Sequence, residues 1–135
     1  MTRFLTATAA ALTLMTSTAS AEDTFEEAKI LAGEMLFKAE CRRCHTAEAQ
    51  KKDTYGPPLE NIIGRPAGTH PDYEYSDALK NSGFAWTPTA IRAWMEDNVG
   101  FIPGTKMRHV GITDRTVQDF IIAYLAVHSE SANAN

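Results

Sequence analysis

The amino-acid sequence predicts an all-α protein in which three main helices and one short helix are joined by long, structured loops. Three segments begin with a recognisable helix cap and then repeat apolar residues at helical spacing. No segment shows the alternation of polar and apolar residues that marks a strand. About 40 residues between His45 and Trp86 carry turn signals throughout and leave room for one short helix only. We therefore expect the chain to consist of helices and of long loops that are ordered.

The first helix is expected to begin at Thr24, because Glu27 three residues later completes a capping box. It runs toward Cys41. Apolar residues at 3.6-residue spacing predict the face that it buries. They are Phe25, Ala28, Leu31 and Met35, with Ile30 beside them.

Thr87 and Pro88 predict the start of the second main helix, since threonine caps a helix and proline suits its first position. This helix should end near residues 98–100. Its predicted buried residues are Ile91, Trp94 and Met95. Before it, Ser76 and Gly83 mark the start and the stop of the short helix.

Thr113 is the predicted N-cap of the third main helix, which should end at about His128. One face of this helix is apolar. It consists of Val117, Phe120, Ile121, Tyr124 and Leu125. The last seven residues are small and polar, which is typical of a frayed end.

The long loop is too apolar and aromatic to stay disordered. So long an irregular stretch is nevertheless uncommon in a compact domain, because its backbone polar groups need partners and its ordering costs entropy. A large apolar group that is not protein would resolve both observations if the loop wraps around it. The large apolar residues concerned are Tyr55, Leu59, Ile62, Ile63, Tyr73, Tyr75, Phe84 and Trp86.

Residues 1–21 have the composition of a secretory leader, with Arg3, an uncharged stretch and the small residues Ala19-Ser20-Ala21 before the expected cleavage at Glu22. The alternative is a retained anchor, but threonines interrupt the stretch, which falls short of the roughly 20 apolar residues of a spanning helix. Export to the periplasm, without stable membrane insertion, would leave residues 22–135 as a single domain of 114 residues. Nothing indicates more than a monomer.

Charge argues against one class of partner. Removal of Arg3 with the leader takes the net charge from −4 to −5. A negative protein of this size has no general attraction for phosphate backbones, so we expect no nucleic-acid partner.

Cys41, Cys44 and His45 form the C-x-x-C-H pattern through which a c-type haem is attached. Two thiols at this spacing can add to the two vinyl groups of one haem, and the histidine that follows is carried beneath the iron as an axial ligand. A disulfide would close a very small loop and stabilise little. A zinc half-site lacks a second ligand pair, and a thioredoxin-like pair lacks its βαβ context. One covalent haem c is the favoured interpretation.

The sixth iron position decides the type of haem chemistry. Met107 lies in the segment from Ile102 to Met107, which Pro103 and Gly104 stiffen, and not on an apolar helical stripe. We assign Met107 as the sixth ligand, since methionine with histidine is a known haem ligand pair. Open coordination is the alternative.

From about Gly33 to Leu125, the chain resembles the class I cytochromes c of mitochondrial type and their bacterial relatives. The residues that carry this resemblance are Gly33-x-x-x-Phe37, Cys41-x-x-Cys44-His45, Gly56-Pro57, Gly64-Arg65, Trp86, Pro103-Gly104-Thr105-Lys106-Met107 and Ala123-Tyr124-Leu125. It implies the class I cytochrome c fold, with the helices and long loops wrapped around one covalent haem.

The resemblance also implies roles for single residues. The carbonyl of Pro57 would accept a hydrogen bond from Nδ1 of His45, and Gly33 and Phe37 would meet Tyr124 where the first and last helices cross. Four side chains would donate to the haem propionates. They are Arg65, Tyr75, Trp86 and Thr105.

Three positions depart from the family pattern. Trp94 stands where a tyrosine hydroxyl usually reaches the methionine sulfur, and an indole N–H could replace it. His109 replaces an aromatic residue that guards the haem edge, and Leu79 replaces a polar residue beside the haem. The remaining histidines, His70 and His128, are expected in solvent.

The resemblance implies a soluble periplasmic carrier, not an enzyme, that moves single electrons through a six-coordinate His/Met haem. Its donor would be a cytochrome bc complex or a dehydrogenase, and its acceptor a terminal oxidase, a reductase or a photosynthetic reaction centre. Two alternatives remain: a haem subunit dedicated to one periplasmic dehydrogenase, and a peroxidase-like protein with a displaceable Met107 and His109 as acid or base.

Basic residues flank the haem motif and the methionine segment, so a positive rim on an acidic protein is one interpretation and ordinary solvated surface is the other. They are Arg42, Arg43, Lys51, Lys52, Lys106 and Arg108.

Overall fold

A computed structural model describes residues 21–47 and 55–130 of the chain. Its helices, in chain order, are α1 (Ala21–Glu40), α2 (Asp77–Lys80), α3 (Pro88–Phe101) and α4 (Arg115–Glu130). Within these residues the only extended pairing is an isolated bridge between Pro66 and Ala85. The expected all-α class with three main helices and one short helix is therefore confirmed. None of the described helices has the length and apolar character needed to cross a membrane.

The first helix corrects two predictions. It begins at Ala21 and not at Thr24, whose hydroxyl donates to the Ala21 carbonyl from within the first turn (2.9 Å). The predicted buried stripe faces solvent, since Phe25, Leu31 and Met35 are 61%, 62% and 73% exposed. The helix instead buries Gly33 and Phe37. A face built on glycine carries no signal in a pattern of large apolar residues.

Gly33 is where α1 crosses α4. A Cβ atom at this position would lie 2.0 Å from the carbonyl oxygen of Phe120 and 2.9 Å from Cβ of Tyr124. The two helix backbones are therefore in direct contact, which only glycine permits. The rings of Phe37 and Tyr124 pack beside this contact with centroids 5.3 Å apart. The expected meeting of Gly33, Phe37 and Tyr124 is confirmed.

The predicted N-caps of α2 and α3 are confirmed, whereas α2 ends at Lys80 with Asn81 as its C-cap, before the expected stop at Gly83. The Ser76 side chain accepts a hydrogen bond from the Leu79 backbone N–H, and that of Thr87 accepts from Ala90 N–H at 3.1 Å. Pro88 is the first residue of α3. The residues of α3 that were expected to be buried are buried: Ile91, Trp94 and Met95. The helix runs on to Phe101, but with a break in its geometry at Asp97.

The last helix is capped by Asp114 and not by Thr113. One Asp114 carboxylate oxygen accepts from Thr116 N–H (2.8 Å) and Val117 N–H (3.2 Å), a position from which Thr113 is one residue too far. The helix continues past His128 to Glu130, and Ser129 is buried. Its hydroxyl accepts from Ile63 N–H (3.2 Å) and donates to the Leu125 carbonyl (2.9 Å), so the end of α4 is tied to the long loop. Residues 131–135 lie outside the described part, as do residues 1–20 of the expected leader.

The long loop before α3 is folded back on the core. Backbone hydrogen bonds join its two limbs, from Gly64 N–H to the Trp86 carbonyl (2.8 Å) and from Ala67 N–H to the Phe84 carbonyl (2.8 Å). The ring of Trp86 packs edge to face against Phe84 on one side and Trp94 on the other. Several loop residues belong to the buried core: Ile62, Ala67, Tyr75, Leu79 and Trp86.

Candidate haem site

The attachment motif forms a tight turn directly after α1. Backbone hydrogen bonds run from Cys41 N–H to the Phe37 carbonyl (2.9 Å) and from His45 N–H to the Cys41 carbonyl (2.9 Å). Both cysteines are half-buried and free. Two thiols and an imidazole are therefore presented together on one continuous unit.

The charge state of these thiols bears on the alternatives. Burial raises the pKa of the Cys41 thiol to about 12. Thioredoxin-like pairs and metal-binding cysteines need a thiolate, which a nearby positive charge or a metal usually stabilises. Among the described residues, no group of three or more histidine, cysteine or acidic side chains could hold a metal ion. A thiol that keeps its proton is not the low-pKa nucleophile of a thioredoxin-like pair.

His45 is buried and held by the segment that follows it. Its Nδ1 donates to the carbonyl oxygen of Pro57 at 2.8 Å, the contact that the family resemblance implies. Gly56 lies against the ring, since a Cβ there would lie 2.4 Å from Cε1 of His45. Burial lowers the pKa of His45, although the Pro57 hydrogen bond opposes this. The imidazole is therefore neutral at pH 7, and Nε2 carries the lone pair that can bind iron.

Met107 is half-buried on the loop between α3 and α4, residues 102–114, which we call the methionine loop. Nε1 of Trp94 donates to its Sδ atom at 3.1 Å. Trp94 therefore does what was expected of it as a replacement for tyrosine. Its indole N–H reaches the sulfur that a tyrosine hydroxyl usually reaches. Lys106, directly before Met107 in the chain, donates to the Glu74 carbonyl (2.9 Å) and ties this loop to the segment that carries Tyr75.

Of the four residues expected to donate to the haem propionates, three lie close together: Arg65, Tyr75 and Trp86. Arg65 donates to the carbonyls of Glu60 (3.2 Å) and Pro58 (3.1 Å), so its guanidinium first holds its own loop. Tyr75 is near enough for its pKa, raised by burial, to be affected by the Arg65 charge. The backbone N–H of Trp86 donates to the Arg65 carbonyl (2.9 Å). Thr105 is buried on the methionine loop, and none of the described contacts links its side chain to the other three.

Leu79 and the three other histidines have different surroundings. Leu79 is buried, as a dry wall requires. The ring nitrogens of His109 lie 2.7 Å from the Val110 carbonyl and 3.3 Å from the Trp94 carbonyl, so the ring is engaged by backbone. His70 and His128 are half-buried, which corrects the expectation of solvent. The His128 ring packs edge to face on Tyr124, at a centroid distance of 4.5 Å.

Sequence reasoning missed two buried amides beside the methionine loop. Nδ2 of Asn98 donates to the Met107 carbonyl (2.6 Å), and Nε2 of Gln118 donates to the Ile112 carbonyl (2.6 Å). Asn98 was expected only as a helix end, and Gln118 was not singled out. Their polar character gave no signal, because such residues are mostly exposed.

The donor set fits a c-type haem: two free thiols, one oriented imidazole and one thioether whose sulfur accepts a hydrogen bond. The family model described as Cytochrome c matches residues 30–128. The chain belongs to the cytochrome c family.

Individual relatives agree. This cytochrome is 40% identical over 111 residues to cytochrome c2 of Agrobacterium tumefaciens, an alignment that covers 80% of this chain and 99% of that protein. It is 38% identical over 94 residues to cytochrome c2 of Rhodomicrobium vannielii, covering 70% and 74% of the two chains. Among solved structures, cytochrome cH from Methylobacterium extorquens superposes with a TM-score of 0.66 at 40% identity, covering 73% of this chain and 97% of that one.

These matches confirm the class I c-type cytochrome and its fold. The chain carries one haem c, attached through Cys41 and Cys44. It is an electron carrier and not an enzyme, and it works with redox partners.

Proposed function

We propose that this cytochrome is a periplasmic carrier of single electrons whose iron is held by His45 and Met107. The observation that carries the proposal is a pair of neutral donor side chains, each oriented by a hydrogen bond. Nδ1 of His45 donates to Pro57 at 2.8 Å, and Sδ of Met107 accepts from Trp94 at 3.1 Å. The leader at residues 1–21 would be removed on export, and residues 22–135 would form the working domain.

When bound, the haem supplies an iron that accepts and releases one electron. The protein's part is to keep its ligands in one arrangement in both redox states. Pro57 fixes the rotation of the His45 ring, burial keeps that ring neutral, and Trp94 orients the Met107 sulfur. With two such ligands, exogenous molecules have no open position, which suits electron transfer and disfavours substrate chemistry.

Arg65, Tyr75, Trp86 and Thr105 would hold the propionates. Burial raises the pKa of Tyr75, so its hydroxyl keeps its proton at neutral pH and can donate. Arg65 uses two of its five N–H groups on the Pro58 and Glu60 carbonyls, which leaves others for a carboxylate.

The partners would meet the rim around the attachment turn and the methionine loop. Arg42, Arg43, Lys106 and Arg108 are exposed there, while Lys51 and Lys52 lie outside the described residues. A positive rim implies acidic faces on the donor and the acceptor, so association should slow as salt rises. A cytochrome bc complex or dehydrogenase as donor and an oxidase, reductase or reaction centre as acceptor remain the proposed classes.

The first test is the absorption spectrum of the purified oxidised and reduced protein. We expect a low-spin spectrum and, in the oxidised form, the weak near-infrared charge-transfer band from methionine sulfur to iron. Met107→Ala should abolish that band. Met35→Ala is the matched control, because Met35 is 73% exposed and should leave the band intact. A high-spin wild-type spectrum without the band would overturn the proposed ligation.

The same preparation tests location and the alternatives. Periplasmic protein should have the intact mass of residues 22–135 plus one haem. A peroxidase-like role would appear as turnover of hydrogen peroxide by the wild type. It gains no support from His109, whose two ring nitrogens already lie against carbonyl groups. A subunit dedicated to one dehydrogenase would co-purify with it in a stable complex.

A further inference from the structure

Helix α3 breaks just where it passes the methionine loop. Asp97 has the extended backbone angles φ −155° and ψ 90° inside an otherwise helical segment. Its carboxylate accepts from Gly100 N–H at 2.9 Å, which caps a fresh helical turn. The chain therefore changes direction between Trp94 and Asn98 while remaining hydrogen-bonded on both sides.

The break coincides with a seam between α3 and the loop. The carbonyl of Met95, two residues before the break, accepts from Ile112 N–H at 2.8 Å. Gly111 allows this approach, since a Cβ there would lie 2.1 Å from the Glu96 carbonyl oxygen. The far end of the loop is thus fastened through backbone atoms.

Asn98 fastens the near end, at Met107 itself. The side chain is 2% exposed, and its Nδ2 atom donates to the Met107 carbonyl at 2.6 Å. A buried amide is costly to place unless its hydrogen bonds are made. This amide donates to the backbone of Met107, and the sulfur of the same methionine accepts from Trp94, four residues before Asn98 in α3. Two residues of α3 therefore hydrogen-bond to Met107, Asn98 to its backbone and Trp94 to its side chain.

We propose that Asn98 is a positioning residue that keeps Met107 on the iron, by preventing its backbone from swinging away when the iron–sulfur bond breaks transiently. This inference rests on the proposed ligation by Met107. Without the Asn98 bond, a broken ligand bond leaves the loop free to move, so an external ligand has more time to enter. With it, the sulfur returns before competitors bind.

Gln118 of α4 provides a control that binds the same loop. It is 0% exposed, and its amide also donates to a loop carbonyl at 2.6 Å, that of Ile112. Ile112 is held a second time through its own N–H on Met95, and it lies five residues after the ligand. The Oε1 atom of Gln118 is buried without a partner among the described residues, so Gln118→Leu removes one hydrogen bond and one unpaired oxygen together. We expect it to weaken the fold no more than Asn98→Leu does and not to free Met107.

The test is the rate at which imidazole displaces Met107 from the oxidised holoprotein, followed as loss of the sulfur-to-iron band. Asn98→Leu removes the donor at similar volume, and we expect displacement at least about tenfold faster, the order expected for one lost hydrogen bond. Asn98→Ser, with a shorter donor, should fall between Asn98→Leu and the wild type. Gln118→Leu should change the rate less than about threefold.

The outcomes separate the two proposals. A wild type without the sulfur-to-iron band overturns the ligation by Met107 and this inference with it. A wild type that has the band, with unchanged displacement in both folded Asn98 variants, overturns the role of Asn98 alone. Equal acceleration by Asn98→Leu and Gln118→Leu, in proportion to their losses in unfolding free energy, also overturns it, because the effect would then be structural only. If Asn98→Leu does not fold, Asn98→Ser decides by the same comparison.

Discussion

The crossing of α1 and α4 and the loop over residues 55–86 are held together in different ways. At the crossing, backbone meets backbone at Gly33, and Phe37 and Tyr124 pack beside it. The loop is held mainly by hydrogen bonds to single carbonyl groups, such as those from Arg65, and by aromatic packing around Trp86. The crossing is a contact that the protein makes by itself, whereas the loop encloses a group that the protein must acquire.

The two regions should therefore owe their stability to different interactions. A tight helix pair needs only its own apolar surface. A loop of that length needs a core to offset its ordering entropy, and in this cytochrome the haem supplies it. Perturbing each region separately should therefore give different responses.

Removal of the haem should have the largest effect. The double variant Cys41→Ala/Cys44→Ala, produced without haem, should lose cooperative unfolding altogether, a loss comparable to a whole domain stability of about 5 to 15 kcal/mol. Thermal unfolding followed by circular dichroism checks this, and amide exchange locates it. Native-like protection of residues 55–86 in this variant would contradict the comparison, because the loop would then be stable without its core.

Substitution of Gly33 tests the crossing. Gly33→Ala should destabilise the holoprotein by about 3 kcal/mol, since the new Cβ would meet the Phe120 carbonyl. The expected loss runs against the gain of roughly 1 kcal/mol in helix propensity. Denaturant unfolding measures it. Met35→Ala, on the exposed face of α1, should change the free energy of unfolding by less than about 0.5 kcal/mol. A larger loss would indicate that Met35 is buried, as the sequence pattern predicted.

Ser129 joins the two regions, because its hydroxyl binds Ile63 of the loop and Leu125 of α4. Ser129→Ala should cost about 1 to 2 kcal/mol, as it leaves the half-buried Ile63 N–H without this partner. Amide exchange at Ile63 should accelerate more than exchange at Gly33. Thr69→Ala is the control, since its exposed hydroxyl donates to the Pro66 carbonyl of the same turn, and the expected change is below about 0.5 kcal/mol.

The smallest effect concerns charge on the exposed face of α1. The hydrogen bond from Lys38, with its charge, lowers the pKa of Glu34. A carboxyl whose folded pKa is lowered stabilises the fold above its unfolded pKa, about 4.3, and that contribution is lost as the pH falls through the folded pKa. Lys38→Met should therefore be slightly less stable than the wild type at pH 7 and equal to it at strongly acid pH. Urea unfolding across this range measures the gap, and a gap that persists in acid would point to packing.

Local patterns were predictable from sequence. The Cys41-x-x-Cys44-His45 motif specifies a haem because the three groups are adjacent in the chain. The caps at Ser76 and Thr87 were found because a cap bonds to an N–H only a few residues away. The loop's need for a core that is not protein followed from its length and apolar content, and the family confirmed it. The set of propionate donors stays a prediction.

Tertiary structure alone decided which face of α1 is buried, which amides close the methionine loop and where the Trp94 indole is directed. Gly33 packs because Phe120 and Tyr124, distant in the chain, lie across it, and Asn98, directly after the break at Asp97, donates to the Met107 carbonyl of the following loop. The sequence by itself determined the cofactor and the helical class, since both depend on residues close together in the chain. The contacts that hold the ligands depend on which distant segments meet, and no spacing within one segment records that.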